Sequence, residues 1–517
     1  MQVEVGAGVE CGVGPMAVRF VFGRSGSGKT WRCLEAVRAE LRRSAIDGPP
    51  LILLVPEQAS LQIERALIET GDLAGFTRCE VLSFRRLAQR LFEQAGGLTR
   101  TVLSRAGRQM VLRYLLERHQ AELRFFGRVR DRAGLAGRLG RTVRELIEQE
   151  VRPESLGAVP AELLSESPVL AAKLADLRVI YGAYLEYLGR DRADPAEQLS
   201  LARQRLEQCQ WLRGALVWVD GFAGFTVQQR EFLVGLARQA ERMEIALLMD
   251  PQAAVIERAD EPIEPFDLFA PTEQTYLQLR GRLLAEGLEI EPPVRLVDRP
   301  GRRFAGSPVL ARLEESLWSG GGVGERPEGI GDAVRLVEAP NRRAEVDAAV
   351  REILWLTRDR RPPLRYRDIA VIVRELEPYH DLLAACLGEH DVPFFIDRRQ
   401  PTGHHPVVRL VRSAMVVLEE DLSVRAVGEL LKTGLSGLTD EQADQLENYV
   451  LAQGIAGRGA WGGPDWRYQR YFRRGREEDR PSEADRQELR EINDSRRRLM
   501  DVLGEWLEPG AEARLTV

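Results

Sequence analysis

The sequence predicts an α/β protein, with parallel sheets covered by helices and interrupted by large helical insertions, and three observations carry that expectation. An apolar run from Ala17 to Phe22 ends in a glycine-rich turn, and from Trp31 the apolar positions fall at helical spacing toward Leu41, which reads strand, loop, helix. The pattern repeats with a run from Leu51 to Val55, then Pro56, then an amphipathic segment to Glu69, and strands alternating with helices imply a parallel sheet. Between Thr99 and Gln208 the pattern turns almost wholly helical, as in Leu170, Leu174, Leu177, Ile180, Tyr184 and Leu188, with no strand signal inside it.

In chain order, residues 1–15 hold no basic residue and no sustained apolar core, so they read as a disordered extension before a start at Met16 rather than as a secretory signal. Residues 16–98 and 209–318 form a first α/β domain, whose later strands resume at Leu216 to Val219 and Ile245 to Met249; residues 99–208 are a helical insertion within it. The stretch SGGGVGERPEGIG, residues 319–331, reads as a linker. A second α/β domain follows over 332–420, with strands expected at Val334 to Val337 and Ile369 to Val373. Residues 421–517 are helical again and stop without an evident closing element, so the sequence reads as part of a longer protein.

Composition narrows the function classes. No run of 18 or more apolar residues exists, which excludes a membrane-spanning helix. The net charge of −6 argues against a wholly basic nucleic-acid coat, but charge is local. Of the 73 basic residues only Lys29, Lys173 and Lys432 are lysine. From Arg100 to Arg144 there are twelve arginines against three acids, a local +9, with Tyr114, Phe125 and Phe126 interleaved. Basic residues mixed with aromatics suit a single-strand channel; a solvated helix face with ordinary core aromatics is the alternative. The mixed stretch from Trp466 to Arg480 reads as solvated surface, and His404 with His405 as a polar loop. Five widely spaced cysteines show no metal-ligand spacing, which fits a reducing cytoplasm.

The chemistry sits in Gly23, Arg24, Ser25, Gly26, Ser27, Gly28, Lys29 and Thr30, which read GxxxxGK[ST] after a strand and before a helix, the context a phosphate-binding loop requires. Successive backbone N–H groups at a helix N-terminus can surround phosphates, Lys29 can reach the β and γ groups of ATP, and Thr30 can hold Mg²⁺. Asp220, ending the run ALVWVD, is placed to orient the same Mg²⁺; a turn residue in a strand-ending Asp-Gly is its structural alternative. Motors commonly carry a water-polarising Glu at the next position, where this chain has Gly221, so slow hydrolysis is expected and no catalytic residue is assigned.

Several stretches together resemble one family: FVFGRSGSGKT, LLVPEQASLQ, VLSFRRLAQRLFEQAGG, VWVDGFAGFTVQQREFL, EAPNRRAEVDAAVREI, DIAVIVR and VPFFIDRRQPTGHHPVV occur in order from about Met16 to at least Trp461. They look like the B subunit of the AddAB-type ATP-dependent helicase-nuclease. That resemblance implies superfamily 1 helicase-like, RecA-like P-loop domains and a heterodimer with an AddA-type motor subunit. It also implies action on double- and single-stranded DNA at double-strand breaks during recombination, and reading of a short hotspot sequence in the single strand. A nuclease domain with a 4Fe-4S cluster is expected only beyond Val517. By position in the matching motifs, Gln58, Ser60, Phe84 and Arg86 are strand-contact candidates, and Phe222 and Phe225 are stacking candidates. Gln89 departs from the family, where Trp can occur, so this chain lacks that stacking platform. For the phenylalanines, core packing is the alternative. An autonomous motor ATPase and a nucleotide-free scaffold remain the other functional readings.

Overall fold

The computed structural model describes residues 17–69, 75–97, 100–132, 134–158, 167–297, 302–304, 306–316, 333–397, 402–467 and 483–507. It divides into two units, Met1–Leu336 and Val337–Val517. In the first unit, β1 (Ala17–Gly23), α1 (Lys29–Arg43), β2 (Leu51–Leu54), α2 (Ser60–Ile68), β3 (Cys79–Leu82) and α3 (Phe84–Ala95) precede the insertion. After it come β6 (Ala215–Val219), α8 (Val227–Ala237), β7 (Ala240–Leu248), α9 (Ala270–Ala285), β8 (Glu289–Leu296) and α10 (Pro308–Ser316). The intervening elements are β4 (Thr101–Val102), α4 (Arg105–Arg118), α5 (Leu135–Glu148), α6 (Pro168–Leu188), β5 (Arg192–Ala193) and α7 (Gln198–Arg203).

The six long strands form one parallel sheet in the order β3-β2-β6-β7-β1-β8. Its central strands β2 and β6 are buried on both faces, which is why they read as continuous apolar runs. On β1, Val18, Phe20 and Phe22 pack against Phe84 and Leu87 of α3, Phe232 of α8 and Leu279 of α9. Val21, pointing the other way, meets Val37 and Leu41 of α1. Two strands were not expected. β3 is four residues long, too short to show a period, and β8 reads EIEPPVRL, whose two prolines are tolerated because it lies at the sheet edge.

The insertion has its own core, in which Leu112 and Leu115 of α4, Val143 of α5, and Ile180 and Tyr184 of α6 meet. The expectation of no strand there is corrected, since β4 and β5 form a two-residue parallel pair, Thr101 with Arg192 and Val102 with Ala193; so short a ladder leaves no periodic signature. Just beyond it, fully buried Asp194 takes both prongs of the Arg108 fork, at 2.6 Å each, and the Tyr184 hydroxyl at 2.6 Å. The Ala196 N–H adds a fourth donor at 2.8 Å. This network ties α4 to the end of α6 and to the chain returning toward the sheet.

Among the described residues the second unit is helical, with Arg342–Leu354 and His380–Glu389 sharing one core and Pro406–Glu419, Val424–Leu431, Asp440–Gln453 and Glu483–Leu507 another. The strands expected at Val334 to Val337 and Ile369 to Val373 do not form. Leu336 is 100% and Ile372 92% exposed, and an apolar run becomes a strand only where a second segment completes its ladder. The N-terminal extension, the linker at 319–331 and most of Trp466 to Arg480 lie outside the described residues. No helix among the described residues is long and apolar enough to cross a membrane.

Removing one partner of a buried ion pair strands the other charge. Asp194→Ala should therefore lower the stability of the first unit by about 3 kcal/mol, read as a fall in the urea midpoint, whereas an unchanged midpoint would show that the network is not structural.

Candidate nucleotide-binding site

The loop between β1 and α1 has the backbone its glycines allow. Gly26 has φ +75° and Gly28, capping the 15-residue α1, has φ +100°, values that L side chains rarely adopt. The turn leaves the first N–H groups of α1 facing the cleft, where they and the helix dipole favour an anion. The Lys29 ammonium donates to the carbonyl oxygens of Gly23 at 2.8 Å and Arg24 at 2.9 Å, folding back over its own loop. Ser27 Oγ is buried without a hydrogen-bond partner, an orphan that a phosphate oxygen would satisfy.

Asp220, at the tip of β6, accepts a 2.6 Å hydrogen bond from the Thr30 hydroxyl although β7 lies between their strands. Burial pushes the Asp220 carboxyl up, while the Thr30 bond and the Lys29 charge oppose that shift. Burial likewise draws Lys29 down to about 8, against the attraction of Asp220 and with further repulsion from Arg303. The cleft is about 610 Å³ and is lined by Lys29, Thr30, Asp220, Phe222 and Arg303, among others. A glycine cradle, an orphan hydroxyl, an ammonium and a hydroxyl–carboxylate pair fit a magnesium nucleoside triphosphate, with Thr30 and Asp220 as the residues that would hold the cation.

Among the described residues lining the cleft, Asp220 is the one carboxylate. Gly221 has φ +82°, and a Cβ there would stand 3.3 Å from Pro56 Cδ. The missing Glu is thus more than a substitution, because the backbone at 221 is shaped for glycine.

The loops after β2 and β3 leave the sheet at the same edge as the phosphate-binding loop, since the strands are parallel. Gln58, Arg86 and Gln89 are exposed there. The Ser60 hydroxyl is buried and donates to Glu57 O at 2.9 Å, a local turn bond. Phe84 and Phe225 are buried, and Phe84 lies edge-on to Phe222, Phe225 and Phe232 at 5.2, 6.2 and 6.1 Å. Phe222 is half-buried and also faces the nucleotide cleft. In the insertion nine of the twelve arginines are exposed, Tyr114 is exposed, and Lys173 sits 4.8 Å over the Phe125 ring. Arg24, read from sequence as part of the phosphate-binding loop, turns its guanidinium away to Glu314, and two features had no sequence signal: that Glu314 partner and Arg303, which borders the cleft.

Residues 20–314 match the family model described as ADDB, N-terminal. A protein of Desulforudis audaxviator, named as the B subunit of an ATP-dependent helicase/deoxyribonuclease, is 42% identical over 496 residues, covering 93% of this chain and 41% of the relative. Its namesake from Symbiobacterium thermophilum is 43% identical over 460 residues, covering 88% and 38%, and that from Moorella thermoacetica 42% over 457, covering 88% and 39%. The chain spans about two fifths of the length of these curated relatives.

A lysine with a depressed folded-state pKa binds fewer protons than the unfolded chain between about pH 8 and its ordinary value of 10.5, so its burial costs stability below that window and the cost fades as pH rises through it. The stability difference between the wild type and Lys29→Met should therefore move by roughly 3 kcal/mol in favour of the wild type from about pH 7 to about pH 10.5. Parallel denaturation curves at the two pH values check this, and a constant difference would refute a depressed Lys29.

Proposed function

Because the chain belongs to the AddB family, of which the matched model is the N-terminal part, we propose that it is the nucleotide- and DNA-binding portion of the B subunit of a heterodimeric helicase-nuclease. In this reading its partner is an AddA-type motor subunit, and the complex processes double-strand breaks for homologous recombination. The observation that carries the nucleotide half is the pairing of a complete phosphate and magnesium side, Lys29, Thr30 and Asp220, with a glycine-shaped backbone at 221 where a water-activating Glu would stand. Such a site binds Mg·ATP and hydrolyses it weakly. ATP when bound supplies a polyphosphate that the loop N–H groups and Lys29 neutralise and that orders the cleft wall.

The parallel sheet orders the DNA half. Gln58 and Arg86 are exposed at the edge onto which the nucleotide cleft opens, where an amide and a guanidinium can read base edges or phosphates. Single-strand hotspot reading is assigned to that edge. Phe84 and Phe225 support it from below as buried packing, and half-buried Phe222 is the ring left to touch a ligand. Arg138 and Arg141, exposed on α5 and without ion pairs among the described residues, serve the strand's phosphates. The first unit is read as RecA-like with its helical insertion. Nuclease chemistry and a 4Fe-4S cluster belong to the longer protein.

Lys29→Ala should abolish binding of a labelled ATP analogue by the chain yet leave unwinding by the assembled complex largely intact; arrested unwinding, or brisk strand-stimulated ATP turnover by the chain alone, would favour an autonomous motor. Replacing Arg138 and Arg141 with Ala should weaken single-strand binding without regard to sequence and reduce the slope of log affinity against log salt by about 1.4, at about 0.7 per phosphate contact. An unaltered slope would place the strand elsewhere.

A further inference from the structure

After β8 the chain returns across the phosphate-binding loop. The backbone N–H of Arg303 donates to Gly26 O at 3.1 Å, and the Phe304 ring lies 2.7 Å from where a Cβ at Gly26 would stand. Farther along, Glu314 of α10 accepts from Arg24 Nε at 2.9 Å and, through its backbone oxygen, from Arg24 Nη2 at 2.9 Å. Asp250 lies 3.5 Å from Arg24 Nη1, and the Phe269 ring 5.7 Å beneath the same guanidinium. The outer side of the loop is therefore covered at Gly26 and clamped at Arg24, whose charge is consumed away from the cleft.

Arg303 is placed differently. It is exposed, borders the cleft with Lys29, Thr30 and Asp220, and among the described residues forms no ion pair, whereas Arg24, Arg32 and Arg38 of the loop and α1 all have carboxylate partners. Inside the cleft, the charges of Lys29 and Asp220 cancel, so Arg303 supplies the net positive charge that a polyphosphate needs. A guanidinium also presents a planar fork that matches two phosphate oxygens, which an ammonium does not.

We propose that Arg303 is a phosphate ligand delivered in cis: its guanidinium engages the terminal phosphate of a nucleoside triphosphate held by the loop, so that the segment bearing it distinguishes triphosphate from diphosphate. This rests on the reading of the cleft as a nucleotide site. Arg303 is tethered to Gly26 through its own N–H, so its side chain can close on a third phosphate without any movement of the glycine turn. When that phosphate is absent the guanidinium has no partner there, and the segment has no differential interaction to hold it.

The test compares the full 517-residue chain with Arg303→Ala and Arg303→Lys in equilibrium binding of a slowly hydrolysed ATP analogue and of ADP, each with Mg²⁺. Arg303→Ala should bind the triphosphate about tenfold or more weakly and ADP within about threefold of the wild type, the loss expected for one charge-assisted contact, with Arg303→Lys recovering part of it. Hydrogen exchange at residues 302–304 and 306–316 should be slower with the triphosphate than with ADP in the wild type and equal in Arg303→Ala. Unchanged triphosphate affinity in Arg303→Ala, or equal losses for both nucleotides, would overturn the assignment while leaving the nucleotide site standing. A wild-type chain that binds neither nucleotide would overturn the site itself.

Discussion

The hydrogen bond from the Thr30 hydroxyl to the Asp220 carboxylate is the constraint around which the first unit is arranged, and it exists because every long strand runs the same way. Thr30 follows β1 and Asp220 ends β6, 190 residues later, with β7 between their strands. Only a parallel sheet brings both strand tips, and the loops after β2 and β3, to one edge, and a sheet of that kind is stable only when helices cover both faces. The two packed cores flanking β1, one reached by Phe20 and Phe22 and the other by Val21, are thus what hold a hydroxyl and a carboxylate within bonding distance.

What was legible in the sequence is what is local. Eight consecutive residues specify the glycine turn, and the apolar run before Asp220 places that carboxylate at a strand tip. Contacts between distant segments left no trace: Arg303 and Glu314 reach the loop from beyond the last strand, and neither sits in a pattern that distinguishes it from any other surface arginine or glutamate. Residue type also fails where one side chain serves two ends. Phe84 and Phe225 suit base stacking and core packing equally as sequence, and only their burial decides that they are core. The runs at Val334 to Val337 and Ile369 to Val373 show the same limit for strands, because apolar content lies in one segment whereas a ladder requires two.

At Gly221 the backbone itself, rather than a missing side chain alone, disfavours any larger residue. The left-handed φ of +82° and the nearness of Pro56, at 3.3 Å from a would-be Cβ, mean that a Glu introduced there would meet both strain and a neighbour. Left-handed backbone costs a non-glycine residue about 1 kcal/mol or more before any contact is counted. Asp220 accepts from Thr30, so in the proposed reading it serves the cation rather than the attacking water, and binding and turnover would be separated at adjacent positions of one loop.

The same separation governs the cations. Arginine serves where a charge must remain fixed: Arg108 is buried against Asp194, Arg24 clamps the loop to Glu314, and the insertion's exposed arginines face solvent. A guanidinium does not lose its proton in a protein, so the cationic side of these contacts stays charged at every pH the fold survives. Lysine stands at position 29, where burial brings the ammonium down to about 8, closer to neutrality than any arginine comes. A polyphosphate entering beside it favours the charged form. In the proposed nucleotide reading Lys29 would thus respond to a ligand's charge, whereas Arg303, permanently charged and reaching in from a separate segment, would respond only to where that charge lies.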